Sequence, residues 1–195
     1  AVGIHAVRIA DVKAGSRVMV IGAGPIGLAV ALWCRFFGAR EVIVSEVTKT
    51  RAALAKTMGA TAVIHPDLDS GAEGLLQQFS DIAGGAPDVI FECVGAPGLL
   101  QQCIEMAPHH GKIIPVGVCE QPDAIIPFFG LVKELRIQFA IAYTRDDFDT
   151  CVAMLGERRI DVSPMVTDIV SLDELPDAFE ALRTPSHQCK VLTRM

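Results

Sequence analysis

Residues 18–34, VMVIGAGPIGLAVALWC, carry no charged side chain, and Gly22, Gly24 and Gly27 fall near their middle in the spacing G-x-G-x-x-G. An apolar run of this length lies at the lower edge of what spans a membrane, but three glycines and Pro25 at its centre are poor material for one continuous helix. A strand, a tight turn and a helix accommodate every residue. Gly22 permits the sharp turn, Gly24 lets the backbone approach a bound group closely, and Gly27 lets the helix pack against the strand. Pro25 suits the first helical turn, where its missing N–H would have had no intrahelical partner. The Ile26 amide is then left at the positive end of the helix, where it can meet an anion such as a pyrophosphate.

A glycine spacing alone is a weak signal, and Glu46 strengthens it. It follows Gly27 by nineteen residues and ends the next apolar run, EVIVSE. A carboxylate at that place can accept hydrogen bonds from the ribose diol of an adenine dinucleotide, and it repels a 2′-phosphate, which predicts NAD over NADP. Lys49 and Arg51 stand close enough in sequence to pair with such a phosphate and argue the other way. An S-adenosylmethionine methyltransferase would carry its acidic residue just before the glycines, where this chain is apolar.

The rest of the chain repeats the pattern. RVMVIG, EVIVSE, TAVIHP, DVIFECVG and KIIPVGV are consecutively apolar runs, the mark of strands covered on both faces. Between them, segments 25–38, 48–58, 69–83 and 98–107 have helical length and composition. This alternation predicts an α/β fold, a doubly wound parallel sheet with right-handed crossovers. Further along, the expected elements are DAIIP as a strand, a helix over 128–133, LRIQFAIAY as a strand, a helix over 146–158, a strand over 165–170, a helix opened by SLDE, and QCKVLTR as a final strand. Ser171 and Glu174 suit a capping box there. The last fifty or so residues are too few to bury a core alone.

At the other end, AVGIHAVRIADVKAG reads as a helix with Val2, Ala6 and Ile9 on one face and Gly15 as its stop. The chain does not begin with methionine and starts in a helix already under way, so it is expected to be a fragment. The net charge of −6 and the lack of any Lys/Arg cluster exclude a nucleic-acid surface. Nor does the N-terminus resemble a signal peptide. The six cysteines contain no C-x-x-C, and most of them read as small buried hydrophobes of a reducing cytoplasm. His109 and His110 lack a third ligand nearby and read as solvated loop, His65 as turn filler, and Asp146 and Asp147 as helix-dipole partners. No metal site and no catalytic group is expected within the chain.

Taken together, VKAGSRVMVIGAGPIGLAVALWCRFFGAREVIVSE, KTMGATAVIHP, DVIFECVGAPG and GKIIPVGV, in this order, resemble the coenzyme half of the medium-chain, zinc-dependent alcohol dehydrogenase family. The stretch FAIAYTRDDFDTCVAMLGERRIDVSPMVTDIVSLDELPDAFEAL is similar to its polyol and butanediol dehydrogenase branch. The resemblance implies a Rossmann coenzyme domain over 1–142 and a C-terminal segment, 143–195, that returns to a catalytic domain. It implies that the catalytic zinc ligands, a structural-zinc cysteine cluster and the proton relay stand before this chain. Carried over by position, Gly22, Gly24, Pro25, Ile26 and Gly27 would hold pyrophosphate, and Glu46 and Arg51 the adenosine ribose. Cys93 and Val94 would line the nicotinamide side, Val116 and Val118 would contact its ring and carboxamide, and Lys190 would approach the pyrophosphate. The resemblance further implies a homodimer or homotetramer joined through edge strands at 123–127 and 135–142.

The parent enzyme is thus expected to oxidise a small-molecule secondary alcohol or polyol with NAD, and the chain alone to be inactive. Two alternatives stand beside it: a free-standing NAD(H) sensor, and a zinc-free reductase of the same family.

Overall fold

The computed structural model describes residues 1–183 and 187–195. Five apolar runs become five parallel strands: β1 (Arg17–Ile21), β2 (Glu41–Ser45), β3 (Ala62–Ile64), β4 (Val89–Glu92) and β5 (Lys112–Pro115). A short sixth strand, β6 (Arg136–Ile137), completes a sheet ordered β3-β2-β1-β4-β5-β6, with every pairing parallel. This is the doubly wound order in which the chain leaves β1 toward one edge, returns, and builds toward the other. The crevice where the order reverses lies between the carboxyl ends of β1 and β4.

Alternation along the strands assigns the two faces. Val18, Val20, Val42, Val44, Val89 and Phe91 enter one core with α1 (Val2–Ile9) and α2 (Pro25–Phe36). Met19, Ile21, Ile43, Ile90 and Ile113 enter the other with α4 (Gly71–Ala83) and α5 (Leu99–Met106). Burial on both sides is what the unbroken apolar runs require. Helix α3 (Lys49–Thr57) covers β2 and β3 on the first face. Among the described residues no helix is long and apolar enough to cross a membrane.

Helix α1 differs from its expected orientation. Its buried face is Gly3, Ile4, Ala6 and Val7, with Val2 and Ile9 only half-buried. The reason is a close crossing with α2: a Cβ on Gly3 would lie 2.7 Å from the Ala29 backbone. The helix also stops earlier, at Ala10 and the left-handed Asp11, while Gly15 belongs to a later turn whose N–H donates to Gly38 O at 2.8 Å.

The stretch DAIIP is not a strand, contrary to its apolar pattern. The Gly98 N–H donates to Asp123 Oδ1 (2.7 Å) and the Ile126 N–H to Gln101 Oε1 (2.8 Å), so side chains rather than a ladder hold it against α5. Pro127 then opens α6 (Pro127–Val132). The last strand of the sheet is shorter than expected, though Gln138 and Ala140 N–H still reach Ile113 and Pro115 carbonyls.

Helix α7 (Arg145–Gly156) begins at a capping box between Thr144 and Asp147. Asp147 does more than answer the helix dipole. It is buried, and its carboxylate also takes hydrogen bonds from His5 Nδ1 (2.8 Å) and Arg8 Nη1 (2.8 Å) of α1. Burial pushes this carboxyl up, but the Thr144 N–H and hydroxyl, His5 and Arg8 outweigh it and hold the group well below the usual carboxylate range. Beyond α7, β7 (Val166–Ser171) and β8 (Lys190–Arg194) pair in parallel and α8 (Leu175–Ala181) lies against β7. The Ser171–Glu174 box forms in the turn just ahead of α8. After Cys151 none of the described residues is buried, so this segment has no core of its own.

Candidate functional site

The strand-to-helix turn after β1 shows three glycines in three environments. Gly22 has φ +95°, and a Cβ there would stand 2.7 Å from Val94 Cγ2. A Cβ on Gly27 would lie 2.0 Å from Gly22 O, so only glycine lets α2 start this close to the turn. Gly24, by contrast, has nothing within 4 Å of its Cβ position. Pro25 is the first residue of α2, and Leu28 is the first whose N–H reaches back one turn, to Gly24 O at 3.0 Å. The Ile26 and Gly27 amides therefore lie at the open, positive end of α2.

A cavity of about 360 Å³ opens beside this turn. Gly22 and Gly24 form one wall, Glu46, Val47 and Arg51 a second, and Cys93 and Val94 a third. Pro66, Asp67 and Gln102 close its outer end. Val47 and Val94, 64% and 51% exposed, offer apolar side chains to it. Sequence reasoning put Cys93 and Val94 on the nicotinamide side; the structure brings them to the same cavity as Glu46 and Arg51. The cause is the central position of β4, whose loop folds back over Gly22 of the neighbouring strand.

Glu46 is 6% exposed, and its carboxylate ties two turns together. Oε2 accepts the Ala23 N–H at 2.8 Å and Oε1 the Thr48 N–H at 2.7 Å. Each oxygen keeps a lone pair that a hydroxyl could use. His65 is fixed by its Nδ1 on the Glu46 carbonyl at 3.0 Å, so it supports this turn instead of merely filling its own. Arg51 is the only basic residue lining the cavity among the described ones.

The remaining expected residues lie elsewhere. Val116 is buried at the end of β5, and Val118, 74% exposed, follows Gly117 in the next loop. Lys190 joins Pro25 and Ile26 in lining a second cavity, of about 330 Å³, between α2, α7 and β8. Burial pushes the half-buried Cys189 thiol up, against the pull of Arg51 and Lys190. The buried thiols of Cys34 and Cys103 are also raised, by desolvation. All six cysteines are free, and among the described residues no group of three His, Cys, Asp or Glu side chains could hold a metal ion. His110 pairs with Glu134 at 3.3 Å on the surface.

One residue escaped the sequence reading. Glu92 ends β4 and is 4% exposed. Its Oε1 accepts the Val94 and Gly95 N–H groups at 2.6 and 2.8 Å, and its carbonyl takes those of Val116 and Gly117. Like Glu46 it is an acid that closes an otherwise apolar strand, but the sequence does not show that it turns inward.

The described geometry thus joins an open backbone turn at a helix N-terminus, a fixed carboxylate one strand away, and exposed apolar side chains beside them. Comparison with known proteins gives the family. The family model described as zinc-binding dehydrogenase matches residues 25–157. (R,R)-butanediol dehydrogenase of Bacillus subtilis is 31% identical over 195 residues, 100% of this chain and 55% of its own length. Human sorbitol dehydrogenase is 30% identical over 182 residues, covering 93% of this chain and 50% of its own. The X-ray structure of the Bacillus subtilis 2R,3R-butanediol dehydrogenase superposes with a TM-score of 0.88 over the whole chain and 55% of that structure. A structure from Sinorhizobium meliloti 1021 described as bound to NADP, 28% identical, superposes at 0.87 over 100% of this chain and 56% of its own. The chain spans about half the length of the curated relatives it matches.

Proposed function

Because the chain belongs to the zinc-binding dehydrogenase family, we propose that it is the coenzyme-binding half of an NAD-dependent enzyme that oxidises a secondary alcohol or polyol to a ketone. The observation that carries this reading is Gly24, open to a cavity of about 360 Å³ at the start of α2, with the Glu46 carboxylate, just past the end of the neighbouring β2, lining the same cavity. Amides of the glycine turn and of Ile26 and Gly27 bind the pyrophosphate. Glu46, already held by Ala23 and Thr48, accepts the ribose hydroxyls with its remaining lone pairs. Val47 and Val94 take the apolar faces of the adenine ring, and Val116 and Val118, past the switch point, support the nicotinamide. Lys190 approaches the pyrophosphate from the side of Ile26. When bound, the nicotinamide supplies the chemistry of hydride acceptance from the alcohol carbon.

The residues of this chain do not fit a zinc site: among the described ones no donor cluster exists. Lewis-acid activation and proton relay are therefore assigned to the half of the relatives' length that this chain does not span. The segment over 143–195, without buried residues past Cys151, packs against that half. Assembly is by pairing of the β6 edges of two chains, in the cytoplasm.

A second reading, NADP, is favoured by Arg51 in the cavity and by the NADP-bound neighbour. Desolvating Glu46 beside a 2′-phosphate costs on the order of several kcal/mol, which supports NAD. Titration of the purified chain separates them: NAD is expected to bind at least tenfold more tightly than NADP, and the reverse order overturns the role given to Glu46. The same preparation is expected to give no steady NAD reduction with a panel of diols, and sustained turnover would sink the half-enzyme reading.

A further inference from the structure

The Glu92 carboxylate makes contacts that need no charge. It folds back under its own loop and accepts the Val94 and Gly95 N–H groups, for which a neutral amide oxygen would serve as well. Yet a glutamate stands there, 4% exposed, and among the described residues no Lys, Arg or His forms an ion pair with it. A buried carboxylate without a countercharge is costly, so the charge itself calls for a purpose.

Its location supplies one. The Glu92 carbonyl receives the Val116 and Gly117 N–H groups at 2.8 and 2.9 Å. A Cβ on Gly117 would lie 2.8 Å from Glu92 Oε2, and one on Gly95 would lie 2.4 Å from Val118 O. The carboxylate is thus pressed against the backbone between Val116 and Val118, under the surface given above to the nicotinamide. Its field is felt nearby: burial first, and then Glu92, raises the Cys93 and Cys103 thiols. A neutral acceptor would hold the loops but would not act on a charge beyond them.

We infer that Glu92 is a positioning residue that also acts through its charge, which lies beneath Gly117 and favours the oxidised coenzyme, whose nicotinamide ring is cationic, over the reduced one, whose ring is neutral. The inference rests on the coenzyme reading of the site. Oxidised and reduced forms share adenine, riboses and pyrophosphate, so a change confined to loop geometry alters both affinities together. A change in the charge under the ring alters their ratio.

The test is separate titration of NAD+ and NADH against the chain and its Glu92→Gln variant, with a thermal melt of each. In the variant, NAD+ affinity is expected to fall roughly fivefold to tenfold while NADH stays within about twofold, as a unit charge at short range through a partly screened medium would give. Equal loss for both forms, or no change in the ratio, overturns the inference. If that variant does not fold, Glu92→Asp keeps the charge but draws it back by one methylene and is expected to lower the ratio by a smaller factor; an unchanged ratio there also overturns the inference. Failure of the unaltered chain to bind either form refutes the coenzyme reading instead, and is seen before any variant is made.

Discussion

Gly24 and Gly27 separate what the turn does for a ligand from what it does for the fold. Gly24 has φ −69° and ψ 177°, a conformation any residue adopts, and open space at its Cβ. Gly24→Ala is expected to leave the melting temperature unchanged and to weaken coenzyme binding roughly tenfold, because the methyl enters the cradle. Gly27→Ala puts a methyl against Gly22 O and is expected to cost about 2–3 kcal/mol of stability, read by denaturant unfolding. The turn itself, with its open Gly24 and its close-packed Gly27, was legible in the sequence because it depends on six consecutive residues. The place of Glu46, directly after β2, was legible for a related reason: two successive apolar strands fix where the second must end. Its bonds to Ala23 and Thr48 were not, since they depend on how the two turns meet. Glu92 was missed altogether, because nothing local distinguishes a buried acid from a solvated one at a strand end.

At the level of elements, long-range partners account for the errors. Asp147 has the sequence signature of a first-turn acid, but its burial is set by His5 and Arg8, 142 and 139 residues away. The clasp makes a prediction about pH. Its folded-state pKa lies well below the ordinary 3.8, so the stability it gives is full above about pH 5 and is lost as the pH falls through 4 toward the depressed value. Asp147→Asn is therefore expected to be less stable than the parent chain at pH 7, with the gap closing in melts at pH 4 and 3; a gap that stays constant would show that the carboxylate's charge plays no part. The segment at 123–127 failed as a strand for a similar cause. Its residues have strand composition, but a ladder needs a neighbour, and here the Ile126 amide finds Gln101 instead. The β-α alternation itself was read correctly because strands buried on both faces are apolar on consecutive inner positions, with polar residues only at their ends.

For the molecule as a whole, the sheet edge bears the least finished surface. Phe128 and Leu131 of α6, with Phe139 and Ile141 after β6, are all more than 60% exposed. The pairing of β6 edges proposed above would cover this apolar group beside a two-residue edge strand. Sedimentation is expected to show a concentration-dependent dimer, and Leu131→Glu to leave a folded monomer; a dimer that persists in the variant would place the contact elsewhere. The strand order has a different consequence, for synthesis. Val18 of β1 aligns with Val42 on one side and with Val89 on the other. As the chain leaves the ribosome, β1, β2 and β3 can pair early, but the far edge of β1 stays bare until residues beyond 92 have emerged. For that interval the apolar stretch 18–21 offers an unpaired backbone edge, and it is there that a chaperone has the most to shield.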